Sequence, residues 1–254
     1  MVRTDETMEP LHALELDGSE PLSATAVKAV GDLCDRTEDQ DGNGIAVVHV
    51  TGAPDGDWTG GLDVMLVTKW ERALRRLERL PTATVAVAHG DCGGTALDAF
   101  LAADLRVAAP GSRLLVPRDA TATWPGMAGY RLVQLAGAAR VRRAVLFGHP
   151  IEAAEALALG IVDELAEGSV AAVGMAAGLA HGLTGQEIAI RRQLLFDAST
   201  TTFEDALGAH LAACDRMLRR AAETREASRP GGGAQGAGAR GVLPQGSGAT
   251  GVAS

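Results

Sequence analysis

The chain has 254 residues, is 46% hydrophobic and only 3% aromatic, and carries a formal charge of −9. The length suits one large domain with an appendage, its core built from Ala, Leu and Val. The acidic balance argues against nucleic acid and anionic membranes as partners, and no run approaches the length of a membrane-spanning helix.

Met1 to Pro10 is polar and acidic, and reads as a loose N-terminus rather than a signal peptide. Leu11 to Leu16 reads as a strand and Asp17-Gly18-Ser19 as a turn. Ser23 stands where an N-cap would open a helix over 24–36. After a polar loop, Ile45 to Val50 is a strand apolar enough to be buried on both faces. Val64 to Leu80 reads as a helix with Trp70, Leu74, Leu77 and Leu80 on related turns. Arg72, Arg75, Arg76 and Arg79 occupy much of its remaining surface, as a solvated face would.

The chain is organised around residues 83–109. Thr84 to Ala88 is a second buried strand, Gly90, Gly93 and Gly94 punctuate a turn, Ala96 to Ala103 has helical length, and Leu105 to Ala108 is the next strand. This is a βαβ unit of an α/β fold. A helix opening at Thr95 or Ala96 presents unpaired N–H groups and a positive dipole end, and the glycines before it allow close approach. Such a turn can hold an anion or a developing oxyanion.

Beyond it, Arg113 to Val116 reads as a short strand, Arg140 to Leu146 as helical, and three helices follow near 170–183, 185–197 and 203–226. From Arg229 the chain is rich in Gly, Ala and Ser, a composition that cannot bury enough surface to offset ordering entropy. The expected organisation is a loose 1–10, a core over 11–184, a helical oligomerisation region over 185–228 and a disordered tail over 229–254. Cys34, Cys92 and Cys214 show neither metal nor disulfide spacing, so no metal and a reduced cytoplasmic location are expected.

Several stretches resemble the crotonase (enoyl-CoA hydratase/isomerase) superfamily, in the right order over about residues 11–225. They are Trp58-Thr59-Gly60-Gly61-Leu62-Asp63-Val64, His89-Gly90-Asp91-Cys92-Gly93-Gly94-Thr95-Ala96-Leu97-Asp98 with Ala103-Asp104-Leu105-Arg106-Val107-Ala108 after it, Pro125-Gly126-Met127-Ala128-Gly129, and the segment from Phe147 to Asp163. The resemblance implies a ClpP/crotonase-like spiral of ββα units with a C-terminal helical trimerisation region. It also implies a homotrimer or hexamer acting on an acyl-CoA thioester, with coenzyme A entering as part of the substrate and no other cofactor. Lys69 to Leu77, Gly90 to Leu97, Thr123 to Met127 and Ile190 to Asp197 look most like one branch. Its members are the small crotonase-like proteins of 3,5-dihydroxyphenylacetyl-CoA formation in glycopeptide-antibiotic biosynthesis, which implies a type III polyketide synthase as partner.

By the same resemblance the two oxyanion N–H groups fall on Leu62 and Thr95, with Gly61 and Gly94 beside them, and the first catalytic glutamate falls on Asp98. The second falls on Arg118, whose guanidinium cannot serve as a general base; a shift of one residue brings Asp119 there instead. Trp124 and Met127 either line the acyl pocket or pack in the core. Thr95-x-x-Asp98 also reads as a capping box, with Asp98 purely structural. Cys92 and His89 read as structural. Two functions stay open: a hydratase/dehydratase or isomerase, and a degenerate member that binds the acyl-CoA or the synthase without chemistry of its own.

Overall fold

The computed structural model describes residues 12–39, 44–180, 183 and 185–227, so the expectations for residues 1–10 and 229–254 lie outside it. The described residues divide into two units, with the boundary between Ala206 and Leu207.

The first unit is built on a mostly parallel sheet. Strands β1 (His12–Asp17), β2 (Ile45–Gly52), β3 (Ala83–Gly93), β4 (Leu105–Ala108) and β7 (Glu164–Leu165) lie side by side in that order, all parallel. β5 (Arg113–Leu115) adds to the end of β3, and β6 (Ile151–Glu152) pairs antiparallel with β5. The helices between are α1 (Ala24–Glu38), α2 (Val64–Leu77), α3 (Gly94–Leu101), α4 (Met127–Ala136), α5 (Ala138–Phe147), α6 (Ala153–Ala158), α7 (Ser169–Ala180) and α8 (Gly185–Ala198); α9 (Phe203–Ala227) follows.

Strands apolar without alternation have to be covered on both sides. Ala46, Val48, Val50, Ala86 and Ala88 point to one face and join Leu33, Trp70, Leu74 and Phe100 of α1, α2 and α3. Their neighbours Ile45, Val47, Val85 and Val87 point to the other and meet Ala172, Val173 and Ala176 of α7.

Local signals set most of the boundaries. Ser23 caps α1 by accepting from the Ala26 N–H, and Asp63 caps α2 by accepting from the Leu66 N–H at 2.6 Å. α2 stops at Leu77 rather than Leu80, because Pro81 disfavours helical backbone at the residue before it. β3 is longer than the run Thr84 to Ala88. A register shift opposite it at Thr51/Gly52 and a φ of +64° at Gly90 let Asp91, Cys92 and Gly93 continue the strand and pair with β5.

α8 is tied to the start of β3 by Arg192, which is buried. Its guanidinium grips both oxygens of Asp104 and donates to the carbonyls of Leu80 and Thr82, each at 2.7 Å. Asp104 in turn accepts from the Thr84 N–H at 2.9 Å. None of the residues of α9 is buried. Among the described residues no helix is long and apolar enough to cross a membrane, and no cluster of His, Cys, Asp or Glu could hold a metal ion.

Candidate active site

In a parallel sheet the chain leaves every strand at the same edge, so the loops after β1, β2 and β3 meet there. They meet closely. A Cβ at Gly18 would lie 2.1 Å from the Gly93 carbonyl oxygen and 2.6 Å from that of Gly52, so only glycine fits at the crossing. The crossing borders a narrow pocket, which Gly18 and Gly94 help to line. Pro54, Trp58 and Leu62 of the loop after β2 line it, together with Gly94, Thr95 and Asp98 of α3 and Trp124.

α3 opens on this pocket. Its N-cap is Gly93, no side chain caps it, and Gly94 takes a φ of +54°. The N–H groups of its first turn, Thr95 included, have no partner within the helix. Asp98 lies one turn further along, partly exposed to the pocket. Because the cap is Gly93 and not Thr95, Asp98 has no capping role; its Oδ2 instead accepts from the indole Nε1 of Trp70 at 3.0 Å.

The surroundings push the Asp98 carboxyl up to about 6. Desolvation is the largest cause, and the nearby charge of Glu71 adds to it; the Trp70 hydrogen bond and the Arg131 charge pull partly the other way. Glu71 also lines the pocket, and it is paired at 3.0 Å with Arg131 of α4, which bonds Glu78 at 2.8 Å. Three acids, Glu20, Glu71 and Asp98, therefore line the pocket, Arg131 stands behind Glu71, and burial raises the Asp98 carboxyl toward neutral pH.

The other expected residues divide. Leu62 and Trp124 line the pocket, and Trp124 meets Trp58 edge to face at 5.3 Å between ring centres. The Leu62 N–H, however, which the resemblance makes an oxyanion donor, is donated to the Thr59 carbonyl at 3.1 Å in a turn. Gly61 is exposed beside it, with a φ of +81°. Met127 lines an adjoining groove between α2 and α4.

Arg118 and Asp119 are not brought to Asp98. Both sit exposed on a short hairpin, pinned where the Trp58 indole donates to the Arg118 carbonyl at 3.4 Å. The Arg118 side chain lies over Gly148, where an added Cβ would approach its Cδ to 3.0 Å. Asp119 spends its carboxylate on its own turn, accepting from the Thr121 hydroxyl and from the N–H groups of Thr121 and Ala122, which hold it down at about 2. Cys92 is fully buried and burial pushes its thiol up, so it packs rather than reacts.

The sequence did not single out Glu71 or Arg131, nor Trp70 except as core. The α2 stripe shows that Trp70 faces inward, but its indole finds Asp98 across 28 residues and Arg131 finds Glu71 across 60. No local pattern carries those pairings.

Residues 60–234 match the family described as enoyl-CoA hydratase/isomerase. An enoyl-CoA-hydratase of Amycolatopsis orientalis is 56% identical over 209 residues, spanning 82% of this chain and 96% of that protein. The alpha subunit of the fatty acid oxidation complex of Aliivibrio fischeri is 30% identical over 158 residues, which is 56% of this chain and 23% of that larger protein. Among solved structures, an enoyl-CoA hydratase/isomerase family protein of Silicibacter pomeroyi superposes with a TM-score of 0.70 at 19% identity, covering 85% of this chain and 98% of its own. An enoyl-CoA hydratase of Bacillus anthracis gives 0.68 at 20% identity, covering 84% and 90%. The fold is thus that of these enzymes, and the chain belongs to the enoyl-CoA hydratase/isomerase family.

Proposed function

We propose that this chain performs enolate chemistry on an acyl-CoA thioester, in the direction of dehydration. The observation that carries the reading is a carboxyl group raised to about 6, one helical turn from an uncapped helix N-terminus, in one pocket. A thioester oxygen set against the Thr95 N–H would have its developing negative charge stabilised by that N–H and by the helix end. Asp98 would remove the α-proton and deliver it to the departing β-hydroxyl, so that one carboxyl serves as base and then as acid. A group with this affinity for protons suits both halves of that step near neutral pH. Leu62 would supply a second N–H once turned away from Thr59, at a cost of about 1 kcal/mol for the bond given up.

The substrate class follows from the branch that the four stretches resemble. We infer a polyketide-derived thioester, on the route by which a type III polyketide synthase forms 3,5-dihydroxyphenylacetyl-CoA from malonyl-CoA. Loss of water is a step that such an aromatisation requires. The experiment is to add the protein, and an Asp98→Asn variant, to the synthase with malonyl-CoA and to identify the acyl-CoA products by mass spectrometry. The wild type should shift the products toward the dehydrated thioester and the variant should not. Equal products with both would refute the catalytic role.

A second reading, a binding helper without chemistry, is favoured by the same wall seen from the other side. The expected second carboxylate position is Arg118, facing away, and the Leu62 N–H is occupied. Under it, Asp98→Asn would retain the full effect on the synthase.

A further inference from the structure

For a chain of net charge −9, one groove is charged the wrong way. It runs between α2 and α4, is wide and open to solvent, and shares Val67, Glu71 and Trp124 with the pocket that holds Asp98. Five arginines line it, Arg72, Arg75, Arg76, Arg79 and Arg131, against two acids, Glu38 and Glu71. The charge is only partly answered from within. Arg75 is paired with Glu78, and Arg76 with Asp35 and Glu38, while Arg72 and Arg79 have no acidic partner among the described residues. Arg131 is 93% buried by its 7% exposure, and its Nη1 has no hydrogen-bond partner. An orphaned buried guanidinium nitrogen is costly unless something else completes it. The N-terminus of α4, capped by Gly126 without a side-chain bond, opens on the same groove.

Distance decides which anion fits. Arg72 follows Glu71 directly, Arg75 lies about one turn of 5.4 Å further along α2, and Arg79 lies just past the end of that helix at Leu77. In a coenzyme A thioester the first phosphate lies roughly 15 Å from the sulfur along the extended pantetheine arm. Glu71 lines both the pocket and the groove and Arg72 is its immediate neighbour, so an anion held there sits nearer the thioester pocket than that, within reach of an acyl chain about four to eight bonds long. Val64 and Met127, exposed on its walls, offer contact to the methylenes between.

We propose that the groove is the subsite for the far end of the acyl chain and that it selects chains ending in a carboxylate. The inference rests on the thioester reading and adds the chemical class of the substrate. The test is calorimetric binding of adipoyl-CoA, hexanoyl-CoA and free coenzyme A to the full chain and to an Arg72→Gln, Arg79→Gln double variant. The two substituted arginines are exposed and hold no ion pair, so the fold does not depend on them. Adipoyl-CoA should bind on the order of 10-fold more tightly than hexanoyl-CoA, the scale of one charged hydrogen bond, and the double variant should erase the difference. Equal affinities for the two thioesters in the wild type would overturn the inference. So would a variant that weakens free coenzyme A as much as adipoyl-CoA, since the arginines would then be holding phosphate. If wild type bound neither thioester, the thioester reading would itself fall and take this inference with it.

Discussion

Asp98→Asn separates a catalytic carboxyl from a structural one through stability as well as turnover. The carboxyl moves from 3.8 in an unfolded chain to about 6 in the folded one. Between those values the folded protein holds a proton that the unfolded chain releases, so stability is greatest at low pH and falls as pH rises toward 6. Above pH 6 the ionised carboxylate is carried at a cost. Two pKa units amount to about 3 kcal/mol, and water in the open pocket lowers this to about 1–3 kcal/mol. Asparagine keeps an acceptor for the Trp70 indole and does not titrate. The variant should therefore be more stable than wild type by about 1–3 kcal/mol at pH 8 and match it near pH 4. Urea unfolding at the two pH values measures this. In parallel, dehydration of a 3-hydroxyacyl-CoA, followed by the enoyl absorbance, should fall about 10²- to 10⁴-fold. A variant less stable than wild type at pH 8 would show that the carboxylate is held favourably and refute the reasoning, whatever the turnover.

Trp70→Phe removes the indole donor on Asp98, so the acidic limb of the rate profile should move up from about 6 by roughly one to two units; an unmoved limb would mean that the indole does not tune the carboxyl. Arg192→Leu takes the guanidinium from Asp104 and from the carbonyls of Leu80 and Thr82 just before β3, and should cost about 3–5 kcal/mol in denaturant unfolding, whereas a loss under about 1 kcal/mol would show α8 to be loosely held. The chain is expected to form a trimer or a dimer of trimers, since Leu195 is 72% and Phe203 75% exposed on their helices; light scattering that gives a monomer at micromolar concentration would end that expectation.

What was legible in the sequence was local. Ile45 to Val50 and Thr84 to Ala88 announce buried strands because they are apolar apart from His49 and Thr84 and show no polar alternation, and Ser23 announces a helix start because its hydroxyl can accept an N–H three residues on. α4 was hidden. Its buried face is Ala128, Arg131 and Leu132, and a charged residue in the middle of an inward face breaks the apolar period that marks a helix. Arg131 is buried there only because Glu71 and Glu78 wait on another helix.

The site divides along the same line. A glycine turn before a helix can be read from ten consecutive residues, but the role of Asp98 depends on which residue caps that helix and on what stands opposite. With Thr95 as the cap, Asp98 would be held to the backbone and stay an ordinary carboxylate. With Gly93 as the cap, the helix begins two residues earlier, and Asp98 turns to the pocket and meets Trp70 and Glu71 of α2. The choice between Arg118 and Asp119 has the same character. Both readings assumed that one of the two faces inward, yet the hairpin lays Arg118 along Gly148 and closes Asp119 on its own turn. The acidic partner on the wall of Asp98 comes instead from α2, the helix whose arginines continue into the neighbouring groove. One element thus sets the proton affinity of Asp98 on one turn and the charge of the acyl path on the next. A substitution on α2 or just past its end should therefore show whether it acts on proton transfer or on chain selection by where it falls: Trp70 and Glu71 in the pH profile, Arg72 and Arg79 in the preference among acyl chains.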